Sequence, residues 1–158
     1  MDKERYSKFE KLIEAFDEGC SLTIEYDSLL HDYNGVMLFQ AESQVIHIIG
    51  DREGITAAEI AHILKKTPSA CSQLIRRLRG KGWVDQRRNK ENNREYNLYL
   101  TEEGTEIYKK HDAFEKACYL RTFHGLDGFS MRDLDTYIAI QEQLNRTFML
   151  DVKESREA

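Results

Sequence analysis

Near the middle of the chain, apolar residues recur at helical spacing in two short runs. The first is Ile60, Ile63 and Leu64; the second is Cys71, Leu74, Ile75 and Leu78. The first run is preceded by Thr56-x-x-Glu59, a capping box in which a hydroxyl and a carboxylate satisfy orphan helix amides reciprocally. Lys65-Lys66 interrupts the pattern. Thr67-Pro68 restarts it with a hydroxyl N-cap and the residue pre-shaped for the first helical position. On this second helix Ser69, Ala70, Ser72, Gln73, Arg76 and Arg77 fall away from the apolar row. Two short helices across a tight turn, the second polar and basic outside, predict a helix-turn-helix.

The residues after the second helix extend that prediction. Gly82 can cap the helix, and Trp83 to Arg88 has the length and β-prone start of a strand. Residues 89 to 94 form a polar, charged hairpin tip. Tyr96, Leu98 and Leu100 then alternate with Asn97 and Tyr99, the period of a returning strand. A helix-turn-helix with a basic hairpin directly behind it is a winged helix. The helix suits the major groove of DNA, and the hairpin can reach phosphates or the neighbouring minor groove.

The flanks read as long helices. Residues 3 to 33 carry one stripe of Phe9, Ile13, Phe16, Cys20 and Ile24, and another of Leu22, Tyr26, Leu29 and Tyr33, with Asn34-Gly35 as the stop. Gly19 costs about 1 kcal/mol relative to alanine inside such a helix and marks a place for a kink. A second, largely buried helix is predicted near 41 to 50, from Val45, Ile46, Ile48 and Ile49. Ile55 begins a very short strand that could pair beside the wing. After the wing a helix starts at Thr101-Glu102-Glu103 and runs to about Phe123, with Ile107, His111, Phe114 and Cys118 on one side. Ser130 with Asp133 caps the last helix, whose stripe is Leu134, Ile138, Leu144, Phe148 and Val152. The fold class is mainly α with a small β-hairpin wing (α+β), a winged helix-turn-helix between N- and C-terminal dimerisation helices. As one domain, 1–158 divides into a dimerisation helix at 3–35, the winged lobe at 36–101, dimerisation helices at 102–152 and a frayed tail at 153–158. A helix apolar on two faces needs two partners, its own core and a second subunit.

Charge changes the picture next. The net charge is -5, which taken alone argues against nucleic acid. Residues 65 to 94, however, hold ten cations against Asp85 and Glu91, a local +8 that leaves -13 elsewhere. That is the distribution phosphate binding requires. Cys20, Cys71 and Cys118 have no metal-like spacing, and their odd number suits a reducing compartment. No apolar run approaches the roughly 20 residues of a membrane span, and the N-terminus is charged, so no membrane partner and a cytoplasmic location are expected. The sequence holds no phosphate loop, Cys-x-x-Cys, His-Glu-x-x-His or nucleophile elbow, so neither an enzyme nor a cofactor is expected.

In element order over nearly its whole length, the chain resembles the MarR family of transcriptional regulators. The resemblance is specific at Gly54-Ile-Thr-Ala-Ala-Glu-Ile-Ala, at Leu74-Ile-Arg-Arg-Leu-Arg-Gly-Lys-Gly-Trp-Val, and from Asn92-Asn93-Arg94 to Leu100-Thr101. Asn92 stands where the family's wing usually has aspartate, so an aspartate–arginine pair there is absent or becomes a hydrogen bond. The resemblance implies a homodimeric, sequence-specific regulator of transcription, a repressor on a pseudo-palindromic operator in double-stranded DNA. By position, Ser69, Ala70, Ser72 and Gln73 would approach bases, with Gln73 able to pair bidentately with adenine. Lys66, Thr67, Arg77 and Arg88 would hold phosphates, and Arg94, with Lys90 and Asn93 at the wing tip, would reach the minor groove or its edge. Arg76 is assigned only to the general field.

Many relatives release DNA when a small, often aromatic, ligand enters a crevice between the dimer helices and the winged lobe. Residues expected to line it are Tyr26, Leu30, His31, Tyr33, His47, Tyr108 and His111, although each taken alone reads more readily as core or structural. Cys71 reads as a small core hydrophobe. The alternatives are a winged helix used for protein contact, and MarR-like thiol or zinc sensing. Cys20 lies among Asp17, Glu18 and Glu25, which do not favour its thiolate. For zinc, His111 with Glu115, and Glu14 or Glu18 with Cys20, could supply ligands, but Val45 stands where that branch carries a histidine and His47 comes two residues later.

Overall fold

The computed structural model describes residues 2–89, 92 and 95–157 and divides into two compact units, 1–115 and 116–158. The elements in order are α1 (Lys3–Ser28), β1 (Leu30–Asp32), β2 (Met37–Phe39), α2 (Gln40–Asp51), α3 (Ala57–Ile63) and α4 (Pro68–Gly80). They are followed by β3 (Val84–Arg88), β4 (Tyr96–Leu100), α5 (Glu102–Gly125) and α6 (Met131–Glu157).

In the first unit the core is assembled around α4. Cys71, Leu74, Ile75 and Leu78 are all buried, packed with Ile46 and Ile49 of α2, Ile60 of α3, Val84 and Leu98 of the wing, and Ile107 of α5. Thr67 caps α4 through its hydroxyl, which accepts from the Ala70 amide at 3.2 Å, with Pro68 at the first position. Gly82 lies just beyond the helix at φ 79°, where a side chain would be strained. On α3 the expected face is partly corrected. Ile60 is buried and Leu64 half-buried, but Ile63 is exposed and Ala61 takes the inner position. Seven residues make about two turns, and Ile63 falls outside the face that packs into the core. The Thr56–Glu59 capping box forms in both directions.

The wing is an antiparallel pair in the register Val84↔Leu100, Gln86↔Leu98 and Arg88↔Tyr96. The predicted short strand at Ile55 pairs beside it. Gly54 donates to the Leu98 carbonyl, Leu98 donates back to Ile55, and Thr56 bridges Asn97.

The first helix is shorter than expected. It runs unbroken through Gly19 but ends at Ser28, not in the mid-thirties. Leu30–Asp32 instead pairs with Met37–Phe39 in a hairpin whose turn is Asn34-Gly35, at φ 53° and 87°. Positive φ at both central residues is what a two-residue hairpin demands, and Asn-Gly is its strongest signal. Tyr33 therefore belongs to the hairpin and is fully buried, while α1 itself has no buried residue.

In the second unit, residues 116–125 complete α5 and a turn leads to α6. Ser130 and Asp133 cap α6 reciprocally, the Ser130 amide donating to Asp133 at 2.8 Å and the Asp133 amide to Ser130 at 3.3 Å. The expected tail from Lys153 is helical as far as Glu157. Of the stripe expected on α6, Leu134 and Leu144 are half-buried, whereas Ile138, Phe148 and Val152 are exposed. Among the described residues no helix is long and apolar enough to cross a membrane.

Gly104, in the first turn of α5, lies against the backbone of Trp83, and a Cβ there would collide with the Trp83 carbonyl oxygen. Thr101 reinforces this junction, donating its hydroxyl to Gly82 at 2.7 Å while accepting from Gly104. Because the obstacle is backbone, Gly104→Ala should lower stability by about 2 kcal/mol or more, roughly 4–8 °C for a chain of this size. Gly80→Ala, where the added carbon meets open space, should be neutral or slightly stabilising. Thermal melting followed by circular dichroism compares the two; equal melting temperatures would refute the argument.

Candidate nucleic-acid interface

Because α4 buries one face, its other face is committed to solvent. Ser69, Ala70, Ser72, Gln73, Arg76 and Arg77 are all exposed, as are Lys66 and Thr67 at its start and Arg88 at the end of β3. Among the described residues, the side chains of Ser72, Gln73, Arg76 and Arg88 hold no hydrogen bond or ion pair with the rest of the protein. Thr67 is different, since its hydroxyl oxygen is already engaged as the helix cap. Arg77 is also partly engaged, its Nε 4.0 Å from Glu42. Lys90, Asn93 and Arg94 lie outside the described residues.

Between α4 and the wing runs a trough of about 420 Å³, lined by Thr56, Ser72, Arg76, Arg79, Gln86 and Tyr96, among others. It places two guanidinium groups and an exposed aromatic ring between the helix and the hairpin. Arg76, assigned from the sequence only to the general field, lies on the side of α4 that faces the wing. The signal was present in the sequence, since Ser72, Arg76 and Arg79 share one helical face. On the wing's other edge, Arg87 is held over the Tyr99 ring at 4.4 Å and near Asp85 at 3.5 Å.

The residues expected to line a ligand crevice divide. Six join a continuous series of ring contacts in the first unit. Tyr26 and His31 are 4.2 Å apart between centroids, and the His31 Nε2–H donates to the Tyr26 carbonyl at 2.9 Å. Tyr33 lies 6.1 Å from His31 and 5.0 Å from His111, with Phe114 edge-on at 4.9 Å. His47 lies 5.6 Å from His111 and stacks on Tyr108 at 5.4 Å. Leu30 does not join them. Successive side chains on β1 alternate, so His31 points inward and Leu30 outward. Phe114 and Gln40, which accepts the Tyr33 hydroxyl at 3.0 Å, were not anticipated as members.

His111 is the anomalous side chain. It is 1% exposed, and neither ring nitrogen has a hydrogen-bond partner among the described residues, although Glu115 comes within 3.5 Å of Nε2. The Nδ1 of His47 is likewise buried and unpaired, while its Nε2 faces Asp51 at 3.3 Å, whose other oxygen accepts the Tyr108 hydroxyl at 2.7 Å. Among the described residues no group of three or more His, Cys, Asp and Glu is arranged to hold a metal ion. Cys71 is fully buried with its Sγ 3.5 Å from the Ala57 carbonyl; burial raises its thiol pKa despite Lys66 nearby, the environment of an inert core thiol.

The MarR family model matches residues 38–95, which span α2, the helix-turn-helix and the first strand of the wing. Over those residues the chain is similar to the MarR family. Solved structures extend the similarity to the fold as a whole. A zinc-responsive MarR family member from Lactococcus lactis, ZitR, superposes with a TM-score of 0.75 at 22% identity, over 89% of this chain and 99% of that one. FabT of Streptococcus pneumoniae, solved in complex with DNA, gives 0.66 at 22% identity over 93% and 99%. Wild-type ZitR in complex with DNA gives 0.70 at 19% identity over 87% and 97%. No curated protein matches the sequence significantly.

Burial holds the His111 imidazole below its ordinary value near 6.5, with His47 adding to the effect and Glu115 and Asp112 opposing it. The unfolded chain thus takes up a proton near pH 6.5 that the folded chain refuses until lower pH. The resulting stability is present above about pH 6.5 and is lost as pH falls through the folded value. The melting temperature of the wild type should therefore drop more steeply below pH 6.5 than that of His111→Phe. Parallel pH profiles would show that His111 carries no such linkage.

Proposed function

We propose that this chain is a sequence-specific, double-stranded-DNA-binding regulator of transcription, a homodimeric repressor of the MarR type. The observation that carries the proposal is the exposed polar row on α4, where Ser72, Gln73 and Arg76 have no partner among the described residues, beside Arg88 at the end of β3, with the opposite face of the helix locked in the core. Ser69, Ala70, Ser72 and Gln73 read base edges in the major groove; Lys66, Thr67, Arg77 and Arg88 hold phosphates; Lys90, Asn93 and Arg94 work at the wing tip. The relatives crystallised with DNA support this assignment by fold alone.

The homodimer is supported by unburied apolar surface on two helices. Helix α1 exposes Phe9, Leu22 and Ile24, and α6 exposes Tyr137, Ile138 and Met149, although such residues favour burial. Two copies would present their α4 helices to successive major grooves, about 34 Å apart on a pseudo-palindrome. The ring series from Tyr26 to Tyr108 is the proposed seat of a small effector. The orphaned nitrogens of His111 and His47 would be its hydrogen-bonding partners, a reading that leaves the effector's identity to a screen.

Base contacts and phosphate contacts make different predictions. Gln73→Ala should relax preference at particular base pairs, whereas Arg94→Ala should weaken all duplexes similarly and flatten the dependence of log K on log salt by about 0.9 per lost phosphate contact. Selection from a random duplex library followed by anisotropy titrations gives both profiles. Identical sequence profiles for the two variants would refute the division of labour.

A further inference from the structure

Beneath the exit of α4 lies a carboxylate that the DNA-binding reading does not use. Glu42, in the first turn of α2, has a side chain only 4% exposed. Its Oε2 accepts the Phe39 amide at 3.3 Å, closing the N-terminus of α2. Its Oε1 accepts Lys81 Nζ at 3.1 Å and lies 4.0 Å from Arg77 Nε. An acid at that depth is costly unless cations face it, and both cations come from the last turn of α4 and the residue after it.

The two cations are placed differently. Lys81 is the nearer and also lies 4.7 Å over the Trp83 ring, so it is held on two sides and neutralises the carboxylate. Arg77 is 59% exposed and approaches through Nε, not its terminal amino groups. At 4.0 Å the contact is an ion pair and not a hydrogen bond, so it biases the guanidinium toward Glu42 on its Nε side and leaves the two Nη groups available for a bidentate anion. An arginine free to rotate would lose more side-chain entropy on binding.

We propose that Glu42 is a positioning residue for DNA binding: from beneath α4 it orients Arg77 so that the terminal amino groups meet a backbone phosphate. This rests on the DNA-binding reading above. The same carboxylate ties α2 to α4, so its charge serves the interface without touching DNA. The proposal runs against simple electrostatics, which says that removing a negative charge beside a phosphate site strengthens binding.

The test is a double-mutant cycle with Glu42→Gln and Arg77→Ala, read as affinity for a fluorescent duplex selected by the wild type, across a salt series, with thermal melts as fold controls. Glutamine keeps the shape and can still accept the Phe39 amide. The expected result is that Glu42→Gln weakens binding up to about fivefold. It should also reduce the salt slope, and should cost no more than about twofold once Arg77 is already alanine. Tighter or unchanged binding by Glu42→Gln overturns the proposal, as does an equal loss in both backgrounds, which would be a purely structural effect. Arg77→Lys, on the exposed face, provides a second reading should Glu42→Gln fail to fold. It keeps the charge but lacks Nε and the fork, so it should bind several-fold more weakly than wild type; wild-type affinity overturns the proposal. A wild type that binds no duplex in any salt overturns the DNA-binding reading itself, an outcome distinct from a wild type that binds while Glu42→Gln matches it.

Discussion

The arrangement of the first unit hangs on the burial of one face of α4. Cys71, Leu74, Ile75 and Leu78 are at most 6% exposed, and each large aliphatic side chain among them contributes about 1.5–3 kcal/mol by leaving water. Packed interiors resist rotation of an element, because a turned helix would open voids on one side and overlaps on the other. The outward row of α4 is thereby held at a fixed orientation by residues that never meet a ligand. A recognition surface requires that constraint more than it requires any one polar side chain.

Polar contacts then fix the neighbours of α4. Gly82, beyond its end, turns the chain into β3, and Thr101 ties the start of α5 to the Gly82 carbonyl. The segment from Gly54 to Thr56 pairs with β4, so the wing is braced at its base by a third strand-like segment. Glu42 belongs to the same scheme, a single carboxylate shared by the cap of α2 and the exit of α4. The histidines stand outside it. Among the described residues His111 and His47 leave ring nitrogens buried and without a hydrogen-bond partner, a standing cost that the core tolerates.

Much of this was legible in the residues themselves. The spacing of the α4 aliphatics, the Thr56–Glu59 box and the Thr67-Pro68 start set the helix-turn-helix, and period-two alternation set β4. These signals are local: a cap or an amphipathic face is specified by residues within one or two turns. The failures were places where two local signals compete. The apolar stripe through Tyr33 favoured a continuing helix, but Asn34-Gly35 closes a hairpin, and that turn decides the conformation of β1. Ile63 was misplaced because its exposure depends on which neighbours pack against a two-turn helix.

The order of the elements, the exposed basic row and the concentration of positive charge between residues 65 and 94 are written in the residues alone. Which side chains share a site is settled only when the chain is packed. Glu42 and Lys81 are 39 positions apart, and Tyr33 and His111 are further still. Such pairs meet only when elements distant in the chain pack together. No periodicity records that Leu30 turns away from the rings that His31 joins, or that among the described residues His111 has no hydrogen-bonding partner on either nitrogen. Periodicity reports which face of an element is apolar, whereas a site depends on which faces meet, and that is set by the packing of the whole core.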